Sequence, residues 1–107
     1  MTEFKVRIET TASSDLRGIL RYITDTLKEP ATATSVYRSV KEKITKLDQM
    51  PLRFPLVRDK VLATRGIRWM PAENYLVFYI VDNERKKVHV LRILHNRRDW
   101  QNLTIII

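Results

Sequence analysis

The chain has 107 residues, a length suited to one domain spanning residues 1–107. Its 44% hydrophobic and 30% charged residues exclude a disordered or collagen-like chain and predict a buried core. With 20 Lys and Arg against 12 Asp and Glu, the formal charge of +8 points to an acidic surface or a polyanion as partner.

Phe4, Val6 and Ile8 alternate with Lys5, Arg7 and Glu9, which predicts a first strand with one buried face. The segment Thr11 to Asp15 offers several helix-capping side chains, and Leu16, Ile19, Leu20, Ile23 and Leu27 then recur at helical spacing up to Pro30. Ala33, Val36, Tyr37, Val40, Ile44 and Leu47 form a second stripe that ends before Pro51, so the two helices make an αα-hairpin. Met50 to Lys60, interrupted by Pro51 and Pro55, reads as a loop. Three β-prone runs follow, Ala63 to Met70, Tyr75 to Val81 and Val88 to Leu94, with links short enough for an antiparallel meander. The segregated order predicts an α+β fold: an N-terminal strand, a helical hairpin and a three-stranded meander, forming one sheet packed on one face by the helices. Tyr75 to Val81 is apolar on both faces, so the second side of the sheet should be covered too, by a partner or by the tail.

Cysteine is absent, which excludes disulfides, a thiolate zinc site and a cysteine nucleophile. His89 and His95 are too few for a metal cluster, and Gly18 and Gly66 are too few for a nucleotide-binding loop, so no metal or cofactor is expected. No stretch reaches the roughly 18 apolar residues of a membrane span, and the N-terminus lacks a signal-peptide core, so a cytoplasmic protein is expected. Ser13 and Ser14 read as helix caps rather than nucleophiles.

Arg92 falls among apolar neighbours of the last strand, sharing a face with Val88, Val90 and Leu94 if no bulge intervenes. A guanidinium there needs a carboxylate partner or else faces a concave site. Arg68 reads similarly in an earlier strand, beside Gly66, whose position suggests a bulge or a close backbone approach. His95 to Trp100 gathers an imidazole, Arg97, Arg98, Asp99 and an indole within six residues. His95 is a candidate general acid or base, with Arg97 and Arg98 balancing phosphate charge; alternatively Asp99 orients His95 and Trp100 closes the core. The apolar Leu103 to Ile107 should be covered in the folded protein.

Three stretches carry a resemblance to a known family. They are Asp15 to Ile23, Gly66-Ile67-Arg68 with Asn74 to Tyr79, and Val90 to Asp99. In this order, and in a basic chain of this size, they resemble the RelE/ParE superfamily of toxins from type II toxin–antitoxin systems. The resemblance implies growth inhibition, a role in plasmid stabilisation, and a cognate antitoxin whose segment wraps the toxin in a hetero-oligomer. It also implies one of two targets: ParE-like members inhibit DNA gyrase, whereas RelE-like members cut mRNA on the ribosome with basic residues. The lysines of the nuclease branch fall here at Ile67 and Trp69, and its arginine after Tyr75 falls at Leu76, so the chain looks more like the ParE branch. Arg68, Arg92, His95, Arg97, Arg98 and Trp100 are then the candidate target-binding residues; in a nuclease, His95, Arg97 and Arg98 would be catalytic. An acidic, amphipathic antitoxin segment is expected on the sheet face and tail, masking Arg92 to Arg98.

Overall fold

Residues 3–96 are described by the structure, a computed structural model. Strand β1 (Lys5–Ile8) leads into helix α1 (Thr10–Arg21), which continues as one π turn at Tyr22–Thr26, and then into helix α2 (Pro30–Thr45). Short 3-10 turns at Lys46–Asp48 and Pro51–Arg53 and a brief helix α3 (Lys60–Thr64) precede β2 (Arg68–Ala72), β3 (Tyr75–Asp82) and β4 (Lys87–His95). The sheet order is β1-β4-β3-β2: β2, β3 and β4 form the antiparallel meander, and β1 joins β4 in parallel. This is the α+β arrangement expected from the sequence.

Ala12, Leu16, Val40, Ile44 and Leu47 of the helical side bury against Val77, Tyr79, Val88, Val90 and Ile93 of the sheet. The opposite face has its own smaller cluster, in which Val57, Leu62 and Ile67 pack on Phe78. The doubly apolar strand β3 therefore serves two cores. Its second cover, near Phe78, is the segment around α3; the tail lies outside the described residues.

Local boundaries differ from the sequence reading for identifiable reasons. Helix α1 starts at Thr10, so Ser13 and Ser14 sit inside it rather than capping it, and its end has no side-chain cap. Thr11 instead donates its hydroxyl to the Leu91 carbonyl at 2.8 Å, spending a capping side chain on docking α1 to β4. Helix α2 begins at Pro30, where proline has no helical N–H to lose and a preset φ. The strand expected from Ala63 begins only at Arg68. Asp59 accepts the Leu62 N–H at 3.0 Å and starts α3, and Gly66, at φ +81°, ends it. The Gly66 N–H donates to Ala63 and the Ile67 N–H to Leu62, the reciprocal bonding of a glycine-terminated helix. Gly66 is thus a helix stop, not a bulge.

The bulge lies in β4 instead. Phe78 pairs with Arg92 and Tyr79 with Val90, which leaves Leu91 as the extra residue. This shifts the inward phase, so Val88, Val90 and Ile93 face the helices while Leu91 and Leu94 join the opposite cluster. Leu94 therefore does not share the face of Val88 and Val90, whereas Arg92 reaches helix α1.

Candidate functional site

At the bulge, Arg92 turns to α1 and meets Asp15. Its Nε and Nη2 donate to the two carboxylate oxygens at 2.7 and 2.8 Å, and the Ile93 N–H donates to the same carboxylate at 3.0 Å. Both side chains are mostly buried, 19% and 15% exposed. The hydrogen bond that Arg92 donates to Asp15 raises the pKa of Arg92, burial opposes it, and the carboxylate charge adds to the rise. A bidentate, charge-assisted pair of this kind fixes where β4 emerges beside α1. Of the two roles open to Arg92 in the sequence, a structural pair or a concave site, its guanidinium occupies the first.

Arg68 reaches the other way. Its Nη1 donates to the carbonyls of Phe54 at 2.6 Å and Leu52 at 3.3 Å, while the Tyr79 hydroxyl donates to the Pro51 carbonyl at 2.6 Å. Burial pushes the Tyr79 phenol up to about 12, against weaker downward pulls from Arg68 and Arg53. Arg53 itself donates to the carbonyls of Gln49 and Met50. The loop from Met50, which is left-handed at φ 46°, to Phe54 is thereby held by its own backbone acceptors, leaving Met50 and Leu52 exposed.

His95 ends β4 opposite Tyr75, with the two rings edge to face and their centroids 5.6 Å apart. These rings close one side of a cleft of about 470 Å³ whose other wall is α1 and the π turn, through Gly18, Ile19, Tyr22, Ile23 and Leu27. The π turn is defined by the Leu27 N–H donating to the Tyr22 carbonyl at 3.1 Å. The second histidine, His89, lies within 2.9 Å of a Glu9 carboxylate oxygen through Nδ1, at the junction of β1 and β4.

The expected constellation is thus divided. Arg92 and His95 are neighbours at the end of β4, whereas Arg68 serves the loop at the edge of the sheet. Arg97, Arg98, Asp99, Trp100 and the apolar tail lie outside the described residues. Asp15 and the cleft-lining Gly18, Tyr22, Leu27 and Tyr75 were not among the site residues expected from the sequence; the signal available was a glycine in the middle of an otherwise regular helix. Among the described residues no three His, Cys, Asp or Glu side chains gather as metal ligands, and no helix is long and apolar enough to cross a membrane.

Comparison with known proteins gives three findings. The family model described as the ParE toxin of the type II toxin–antitoxin system, parDE, matches residues 6–100. Among solved structures, the chromosomal ParDE system of P. aeruginosa aligns with a TM-score of 0.72 at 20% identity, covering 89% of this chain and 98% of that one. The toxin–antitoxin complex RelBE2 of Mycobacterium tuberculosis aligns with a TM-score of 0.62 at 26% identity, covering 89% and 93%. No curated protein sequence matches.

Proposed function

Because the chain belongs to the ParE toxin family of type II toxin–antitoxin systems, we propose that it halts bacterial growth by binding DNA gyrase and that a cognate antitoxin neutralises it. The observation that carries this reading is the packing at the positions where the nuclease branch has cations. Ile67 is buried, Trp69 lies against Phe78 with ring centroids 6.3 Å apart, and Leu76 belongs to the same apolar cluster. Phosphodiester cleavage needs positive groups placed where charge develops on the phosphate. Apolar side chains at all three positions favour a toxin that works by surface complementarity.

In this reading His95, Arg97, Arg98 and Trp100 contact the target, Arg92 contributes by holding the strand end, and Arg68 holds the separate loop 50–54, beside Phe4 and Asn83. The charge of +8 steers the toxin to gyrase on DNA and speeds the encounter. A ribonuclease reading has one observation in its favour, the imidazole of His95 at a cleft where it can move a proton. Purified toxin added to a gyrase supercoiling reaction, and in parallel to ribosomes translating a defined mRNA, separates the two. Inhibited supercoiling with intact mRNA is expected; cut mRNA with normal supercoiling overturns the proposal.

A further inference from the structure

The cleft beside α1 has features that the protein's own packing does not require. Gly18 stands in the interior of α1, where glycine weakens a helix relative to alanine. A Cβ built there meets no atom within 4 Å, so no neighbour among the described residues demands the glycine. What the missing side chain leaves is backbone open to close approach along the cleft wall. The helix then widens into the π turn, a departure from regular geometry that concentrates at functional sites. Tyr22 and Leu27, at the two ends of that turn, stand at the rim with 48% and 46% of their surfaces exposed. On the crest of the same helix Arg17 and Arg21 are exposed, one turn apart, and neither forms an ion pair among the described residues. Like charges at this spacing repel, and an anionic partner would relieve them.

We infer that this cleft receives an apolar anchor side chain, aromatic or leucine-sized, from an acidic segment of the antitoxin whose carboxylates meet Arg17 and Arg21. The inference rests on the toxin–antitoxin reading above. An anchor seated against Gly18 and between Tyr22 and Tyr75 covers His95, which lines the same cleft, so one buried side chain masks the end of β4. The apolar contact supplies the lifetime of the complex, and the arginine pair supplies its rate of formation.

The test titrates purified toxin with the purified product of the adjacent gene. Gly18→Leu fills the cleft from a position with free space and is expected to weaken binding at least about tenfold without lowering the melting temperature. Tyr22→Ala removes an exposed rim residue and is expected to weaken binding as well, which keeps the test decisive if the leucine variant misfolds. Arg21→Glu is expected to slow association and flatten its dependence on salt. Affinities within about twofold of wild type for Gly18→Leu and Tyr22→Ala overturn the inference. So does loss of gyrase inhibition by folded Gly18→Leu with antitoxin affinity intact, which would assign the cleft to the target. Wild-type toxin that fails to inhibit gyrase refutes the gyrase reading alone, because the titration reads the cleft independently.

Discussion

Replacing Arg92 with methionine keeps most of the aliphatic stem and deletes the guanidinium that spans from β4 to α1. The Asp15 carboxylate, only 15% exposed, is left with the Ile93 N–H as its remaining partner from this trio. Breaking a buried ion pair by removing one member costs about 3–5 kcal/mol. The residual exposure of both groups and the retained backbone bond place Arg92→Met at the lower end, about 3 kcal/mol. Asp15→Ala should cost about 4 kcal/mol, since it strands both the arginine and the Ile93 N–H. For a domain near 100 residues, each kcal/mol lowers the melting temperature by about 4–8 °C, so Arg92→Met should melt at least about 12 °C below wild type. The double variant Arg92→Met/Asp15→Leu should be more stable than the sum of the single losses, because no charge is left alone. Thermal and urea unfolding followed by circular dichroism measure all three. Arg92→Met within about 0.5 kcal/mol of wild type, or strict additivity in the double variant, would refute the argument that this pair anchors the strand end.

The two glycines should respond oppositely to alanine: Gly18→Ala gains about 0.5–1 kcal/mol, and Gly66→Ala, forced to φ +81°, loses about 1–2 kcal/mol in the same unfolding assay. Tyr79→Phe leaves the Pro51 carbonyl without its donor and should cost about 1–3 kcal/mol, read by urea unfolding. Since folding holds the Tyr79 phenol neutral up to about 12, its contribution is complete below the unfolded value of about 10 and is lost as pH rises from there through 12. An alkaline titration followed by ultraviolet absorbance, compared with that of Tyr79→Phe, should show the Tyr79 phenol ionising late. His95→Ala should leave the melting temperature within a few degrees of wild type while weakening gyrase inhibition; an unfolded His95→Ala protein would make that residue structural.

Much of the fold was legible because hydrophobic periodicity reports which side of an element is buried. The alternation at Phe4 to Ile8, the two helical stripes and the doubly apolar run from Tyr75 to Val81 all translate directly into observed burial. What escaped depends on partners far away in sequence. Arg92 announced that it needed a carboxylate, but its partner Asp15 is 77 residues away, in a stretch that local rules assign to helix capping. The bulge at Leu91 carries no glycine or proline to mark it, whereas Gly66, which looks like a bulge, owes its positive φ to ending α3. Helix α3 itself was hidden because Val61, Leu62 and Ala63 suit either a strand or a helix, and the Asp59 cap tips the balance. The cleft was least legible, since a pocket arises between elements and Gly18 was its one local sign.

Induction of the toxin alone in growing bacteria, with covalent gyrase–DNA complexes and mRNA 5′ ends mapped from the same culture, tests the central claim most directly. Gyrase-dependent DNA breaks accumulating as growth stops, with mRNA ends unchanged, are the predicted result. New mRNA ends at codons held in the ribosomal A site, with no excess of gyrase complexes, would contradict it and return His95 and the arginines beside it to a catalytic role.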